Sequence, residues 1–120
     1  VLVCDDEKDI VSALQIYLKS EGYQVFSAYN GKEALKIINR EDIQLVLMDI
    51  MMPVMDGMEA TREIRTMNRS DASAVAIIAM TANAFAEDKS KALKAGMDEY
   101  LTKPLESEKL IRALSRYKHN

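Results

Sequence analysis

The chain has 120 residues and a formal net charge of −3 at pH 7, with 48% hydrophobic and 29% charged residues. This length suits one compact domain, and the composition is ordinary for a globular protein. The acidic balance argues against direct nucleic-acid binding, and the apolar runs are too short for membrane insertion.

The start of the chain carries two further indications. Cys4 is the single cysteine, which rules out an internal disulfide and favours a reducing compartment such as the cytoplasm. Asp5, Asp6 and Glu7 interrupt the first apolar run, so it does not resemble a signal peptide. We expect one domain over residues 1–120. Because the sequence begins inside an apolar run without Met, we also expect it to be a piece of a longer protein.

Strand-like apolar runs and helical patterns alternate along the chain. The predicted strands are 1–4, 23–28, 43–48, 75–80 and 99–102, and the predicted helices are 9–20, 32–40, 58–67, 85–95 and 106–117. Gly22 and Gly96 stand where helices are expected to end. Continuously apolar strands are typical of a parallel sheet that is buried on both faces. The sequence therefore predicts an α/β fold, a three-layer sandwich of five parallel strands flanked by five helices.

Polar residues follow four of the five predicted strands. Asp5 and Asp6 follow the first strand, Asp49 the third, Thr81 the fourth and Lys103 the fifth. The second strand ends in residues 29–30, which are typical of a simple turn. Because ligands of open parallel sheets bind beyond the carboxyl ends of the strands, we expect the five polar residues to form one site.

The chemistry of these residues predicts a metal and a phosphate. Three neighbouring carboxylates repel one another unless a cation joins them, and oxygen ligands alone favour Mg²⁺ ahead of Ca²⁺. Mg²⁺ would keep coordination positions open for a phosphate, whose oxygens Lys103 and the Thr81 hydroxyl would contact. Asp49 is the predicted nucleophile, because carboxylates can form acyl-phosphate intermediates.

The segments CDDEKD, LVLMDIMMPVMDG, MTANA and YLTKP resemble, in order and spacing, the motifs of receiver domains of two-component signalling proteins. The resemblance covers nearly the whole chain and implies a flavodoxin-like sheet with strand order 2-1-3-4-5. It implies that Asp49 is the phosphoacceptor, supplied by a sensor histidine kinase or a histidine phosphotransfer protein, and that Lys103 contacts the phosphoryl group.

The resemblance also implies roles for the remaining site residues. Asp6 and Asp49 would bind Mg²⁺ directly, Asp5 largely through water, and the backbone carbonyl of Met51 would contribute. Thr81 and Tyr100 would form a switch pair. In this pair Thr81 moves toward the phosphoryl oxygen and Tyr100 turns into the vacated space.

Some properties vary within the family, and the sequence leaves them open. Met51 and Asn83 stand two residues beyond Asp49 and Thr81, at positions that tune the lifetime of the phosphoryl group. The Met51 side chain cannot donate a hydrogen bond to water, whereas Asn83 can. Residues 80–104 resemble receivers of hybrid sensor kinases more than receivers fused to DNA-binding domains. The face made by the fourth helix, the fifth strand and the last helix is a candidate partner surface, including for a homodimer.

Simpler explanations exist for single residues. Asp5, Asp6 and Glu7 could cap the first helix, Thr81 could cap another helix, and Lys103 could be a surface lysine. The methionines around Asp49 are interpreted as packing residues.

Two functional alternatives also remain. One is an interaction module of the same fold that is not phosphorylated. The other is a Mg²⁺-dependent phosphohydrolase with an aspartyl nucleophile, which usually needs a second acid where Met51 stands. We expect a phosphorylation-controlled switch that catalyses only its own phosphorylation and dephosphorylation, and not an enzyme acting on a metabolite.

Overall fold

The computed structural model describes residues 1–50, 52, 55–66, 75–81, 86–103 and 105–116, with the backbone alone for residues 86–88. Strands and helices alternate five times in this part of the chain. The strands are β1 (Leu2–Cys4), β2 (Phe26–Ala28), β3 (Leu45–Asp49), β4 (Ala76–Thr81) and β5 (Glu99–Thr102). The helices are α1 (Lys8–Ser20), α2 (Gly31–Arg40), α3 (Gly57–Arg65), α4 (Ala86–Ala95) and α5 (Ser107–Arg116).

The five strands form one parallel sheet in the order β2-β1-β3-β4-β5. The predicted fold and strand order are confirmed. The prediction that the second strand begins at Tyr23 is wrong: β2 begins at Phe26, which pairs with Leu2 at the start of the short strand β1. At their other ends β3 and β4 extend one residue further than predicted, to Asp49 and Thr81. The predicted helix ends at residues 67, 85 and 117 lie outside the described residues.

Each face of the sheet has its own hydrophobic core. We call the two sides the α1–α5 face and the α3–α4 face. On the α1–α5 face, strand side chains pack against buried residues of the first and last helices: Val11, Leu14, Leu18, Leu110 and Leu114. On the α3–α4 face, which α2 also covers, they pack against Ala34, Ile38, Ala60, Ile64 and Ala92. Since both faces are covered, the edge at the carboxyl ends of the strands is left for a site.

The helix ends follow from local chemistry. Gly22 and Gly96 have φ angles of +90° and +109°, which glycine adopts without a steric penalty. Gly22 lies two residues beyond α1 and Gly96 directly follows α4, so both stand at helix ends as predicted. The side chain of Asn30 accepts a hydrogen bond from the backbone of Glu33 at the start of α2, at 3.0 Å.

Among the residues that the structure describes, no helix combines the length and the apolar character needed to cross a membrane.

Candidate functional site

Asp5 lies directly after β1 and is fully buried. Its backbone N–H donates to the carbonyl of Ala28 at 3.1 Å, which joins the ends of β1 and β2. Its Oδ1 atom accepts a hydrogen bond from the backbone N–H of Glu7 at 3.0 Å. Glu7 is the N-terminal cap residue of α1, and its own side chain makes no capping hydrogen bond. Asp5 therefore orders the turn before α1, while its second oxygen faces the site.

Asp49 ends β3, where it pairs with Met80 of β4. Asp49 is 4% exposed, so its carboxylate sits at the base of the site. The start of α3 packs directly against this strand end. A Cβ atom on Gly57 would overlap the Asp49 carbonyl oxygen, so only glycine fits there. The return of the chain into α3 thus fixes the backbone of Asp49.

Lys103 joins the acidic residues electrostatically. Its backbone N–H donates to the Thr81 carbonyl at 2.7 Å, which places it at the ends of β4 and β5. Its Nζ atom lies 2.7 Å from Asp5 Oδ2 and 3.3 Å from Asp49 Oδ2. Burial lowers the pKa of Lys103, but the hydrogen bond to Asp5 and the charge of Asp49 outweigh this and raise the pKa above its ordinary value of 10.5. The side chain therefore carries its charge at neutral pH.

Three aspartates form an acidic cluster at the same edge. Asp5, Asp6 and Asp49 each offer one carboxylate oxygen, and these oxygens lie within 4.8 Å of one another. With Lys103 beside them, the group carries two formal negative charges in excess, which one divalent cation would balance. The donors are carboxylate oxygens, the ligands that Mg²⁺ prefers. The residues present therefore fit Mg²⁺.

The two predicted switch residues, Thr81 and Tyr100, lie on the α3–α4 face of the sheet. Thr81 is the last residue of β4, is 1% exposed and pairs with Thr102 of β5. Tyr100 of β5 pairs with Ala79, is half-buried and packs against the core of the α3–α4 face. Because side chains alternate along strands, Thr81 and Tyr100 share this face.

The charged residues belong instead to the α1–α5 face. Asp5, Asp49 and Lys103 each stand two positions beyond a core residue of that face, namely Val3, Leu47 and Leu101. The site therefore straddles the end of the sheet, with the charges on one side and the hydroxyl of Thr81 on the other.

The turn after β2 contributes more than the sequence suggested. The backbone N–H of Gly31 donates to the Met55 carbonyl at 3.0 Å. At the rim, Lys8 Nζ lies 5.9 Å from the centre of the Tyr29 ring, within cation–π range. The pair Asn30-Gly31 is a turn signal, but it does not show which segment the turn contacts. Met51 and Asn83 lie outside the described residues, so their expected roles stay predictions.

The family model described as the response regulator receiver domain matches residues 1–115. The chain therefore belongs to the receiver-domain family of two-component signalling proteins. Receiver domains are in general phosphoacceptor modules and signalling switches rather than enzymes, and their partners are histidine kinases or phosphotransfer proteins.

Solved receiver structures share the fold over nearly their whole length. The receiver domain of a sensor histidine kinase from Pseudomonas aeruginosa, with a magnesium ion coordinated in its active site cleft, is 38% identical, with a TM-score of 0.87 and coverage of 97% of this chain and 93% of that one. The chemotaxis protein CheY4 of Vibrio cholerae is 29% identical, with a TM-score of 0.90 and coverage of 98% and 96%.

A third receiver structure contains a bound partner protein. The receiver domain of the response regulator Ssk1 from Saccharomyces cerevisiae, in complex with the histidine phosphotransfer protein Ypd1, is 29% identical to this chain. Its TM-score is 0.87, with coverage of 97% of this chain and 86% of that one.

Proposed function

We propose that residues 1–120 form one receiver domain that accepts a phosphoryl group on Asp49, in a Mg²⁺-dependent reaction, from a histidine kinase or a histidine phosphotransfer protein. The observation that carries this proposal is the convergence of Asp5, Asp6, Asp49 and Lys103 at one sheet edge. Membership of the receiver-domain family supports it further.

Asp49 is the nucleophile of the proposed reaction. A carboxylate oxygen of Asp49 attacks the phosphorus of the donor, and a P–O bond forms as the P–N bond of the donor phosphohistidine breaks. The electron pair of the broken bond stays on the imidazole nitrogen, which takes up a proton from solvent. In the hydrolysis that ends the signal, a water oxygen attacks the phosphorus and the P–O bond to Asp49 breaks, so inorganic phosphate leaves, a proton passes to solvent and the Asp49 carboxylate is restored.

The neighbouring residues neutralise charge around Asp49. Asp5, Asp6 and Asp49, with the backbone carbonyl of Met51, would hold Mg²⁺. When bound, this ion supplies charge stabilisation to the phosphoryl oxygens. The Lys103 ammonium, 3.3 Å from Asp49 Oδ2, is within reach of a phosphoryl group on that side chain. The buried Thr81 hydroxyl at the adjacent strand end is the proposed hydrogen-bond donor to the same group.

The proposed output is a shift between two arrangements of Thr81 and Tyr100. Phosphorylation favours the arrangement in which Thr81 contacts the phosphoryl group and Tyr100 turns inward, so a pre-existing equilibrium is biased. Tyr100 lies between α4 and α5 in the chain, and these helices expose Leu93 at 49% and Ile111 at 42%. We propose the α4–β5–α5 surface as the partner-binding surface, with a homodimer as one form of partner.

Intact-mass spectrometry after incubation with acetyl phosphate tests the proposal. We expect the wild type to gain one phosphoryl group only when Mg²⁺ is present, and Asp49→Asn to gain none. The control Asp42→Asn changes an exposed aspartate before β3 and should behave like the wild type. If the wild type binds Mg²⁺ but forms no adduct with acetyl phosphate or phosphoramidate, the proposal is wrong. The domain is then an interaction module that is not phosphorylated.

A further inference from the structure

The turn before α2 is packed against the loop that follows Asp49. We call the described residues between β3 and α3, namely 50, 52, 55 and 56, the β3–α3 loop. The backbone N–H of Gly31 donates to the carbonyl of Met55 in this loop at 3.0 Å. A Cβ atom at position 31 would lie 2.6 Å from that carbonyl oxygen and 2.7 Å from Met55 Cγ. Side chains do not tolerate such distances to backbone, so the loop needs a glycine at position 31 for space.

A second contact joins the same loop to β1. Met52 is buried, and its sulfur lies 3.5 Å from the Cys4 thiol. The Cys4 thiol also lies 3.4 Å from the carbonyl oxygen of Asn30, the residue before Gly31. Two described residues of the loop, Met52 and Met55, therefore contact the ends of β1 and the Asn30-Gly31 turn.

The turn itself is rigidly held. The Asn30 side chain accepts from the backbone of Glu33 at 3.0 Å, and the Glu33 side chain accepts from the backbone of Tyr29 at 2.8 Å. The two hydrogen bonds satisfy one backbone donor in the first turn of α2 and one just before the cap residue, and they connect the turn to the helix. The Asn30-Gly31 turn can therefore fix the position of the β3–α3 loop, which packs against it.

Both ends of the loop lie next to Asp49. Ile50, its first residue, donates its backbone N–H to the Met80 carbonyl at 3.1 Å. Gly57, the residue after it, packs on the Asp49 carbonyl. Met55 precedes Gly57 by two residues, so we expect a displacement at Met55 to reach the Asp49 backbone through the close packing of Gly57.

We infer that Gly31 and Met55 are positioning residues for the acidic cluster: they hold the β3–α3 loop in the place that sets Asp49 against Asp5 and Asp6. The inference rests on the proposed function, because it concerns the Mg²⁺ affinity of that cluster. Mg²⁺ demands near-ideal octahedral geometry, so a small movement of one carboxylate weakens its binding. Mutation of residues that orient metal ligands without touching the metal typically weakens metal affinity by about 10- to 100-fold.

Two glycine-to-alanine variants separate positioning from stability. Gly31→Ala places a methyl group against the loop. Gly22→Ala is the matched control: Gly22 has a φ of +90°, and a Cβ atom added there would meet no non-neighbouring heavy atom within 4 Å, so alanine strains the backbone without touching the loop. Both variants should lower the melting temperature. By isothermal titration with Mg²⁺ alone, we expect about tenfold weaker binding for Gly31→Ala, and for Gly22→Ala affinity within about twofold of the wild type.

The outcomes distinguish this inference from the proposed function. If the wild type binds Mg²⁺ and is phosphorylated while the two variants bind Mg²⁺ equally well, the inference is overturned and the proposed function stands. If the wild type does not bind Mg²⁺, the proposed function fails and the inference falls with it.

A second pair of variants covers the case in which Gly31→Ala does not fold. Met55→Ala removes the side chain that rests on Gly31 and keeps the backbone hydrogen bond. Met58→Ala, on α3, removes a half-buried side chain that packs against the same core. We expect Mg²⁺ binding to weaken several-fold for Met55→Ala, whereas equal affinities of the two methionine variants would overturn the inference.

Discussion

The ammonium group of Lys103 is shared between two buried carboxylates, those of Asp5 and Asp49. Lys103→Met should leave these two charges facing each other without a cation. Removing one partner of a buried ion pair usually costs about 3–5 kcal/mol. Because Lys103 keeps some contact with solvent, we expect the free energy of unfolding to fall by about 2 kcal/mol at pH 7 without Mg²⁺. Urea denaturation of both proteins measures this difference.

The pH dependence of that difference has a definite sign. The folded state raises the pKa of Lys103 above 10.5, so its contribution to stability is complete below that pH and is lost as the pH rises through the folded-state pKa. The difference in the free energy of unfolding between the wild type and Lys103→Met should therefore stay constant from about pH 7 to 9 and decrease in more alkaline solution. Lys109→Met, which breaks an exposed pair with Glu106, should cost less than about 0.5 kcal/mol. If this difference in the free energy of unfolding disappears below pH 9, the result would contradict the proposed role of Lys103.

At the scale of elements, Arg65 joins the end of α3 to the neighbouring strands. Its guanidinium donates to the carbonyls of Gly96 and Val75 at 2.7–3.0 Å and pairs with Asp98 at 2.8 Å. The same Asp98 oxygen accepts the backbone N–H of Ile77 at 2.8 Å. One side chain thus connects α3, the start of β4 and the α4–β5 connection, at the sheet edge opposite the acidic cluster.

Arg65→Met should destabilise the domain without affecting the site. Several partly buried hydrogen bonds would be lost and two carbonyls left without this donor, so we expect a loss of about 2–3 kcal/mol in the free energy of unfolding. Arg62→Met, on the exposed side of the same helix, should stay within about 0.5 kcal/mol of the wild type. Under conditions where both variants are folded, Mg²⁺ affinity should be unchanged. A weakened affinity in Arg65→Met would show that the two sheet edges are coupled.

Sequence reasoning succeeds where one strong local signal decides the structure. The apolar runs that become β3 and β4 are buried on both faces, so their pattern predicts that both strands exist, although β3 begins two residues later than predicted. The acid that follows the first of these runs predicts the place of Asp49 at the strand end. The start of β2 could not be found in this way, because it depends on the length of its partner β1. The Gly31–Met55 contact and the hydrogen bonds of Arg65 depend on tertiary packing between distant segments. The composition of neither segment reveals this packing.

The acidic cluster links metal binding to the folding of the domain. The cluster is assembled from two strand ends far apart in the chain, so it exists only in the folded state, and its charge repulsion opposes folding in the absence of a cation. Mg²⁺ at ten times its dissociation constant should stabilise the domain by about 1.4 kcal/mol, and the melting temperature should rise by about 5 °C.

Differential scanning calorimetry with MgCl₂ and with NaCl of equal ionic strength measures this effect. The rise should be specific to Mg²⁺ and should be strongly reduced in Asp49→Ala, which loses one carboxylate of the cluster. An equal rise in NaCl would indicate general charge screening and not a metal site.

The division of the site between the two faces of the sheet also has a genetic consequence. Asp5, Asp49 and Lys103 follow the core residues of the α1–α5 face, whereas Thr81 and Tyr100 lie on the α3–α4 face. A screen for signalling-defective alleles should therefore return two phenotypic classes. On the proposed function, alleles of the first class leave the protein unphosphorylated in the cell, and alleles of the second accumulate phosphorylated protein that evokes no response.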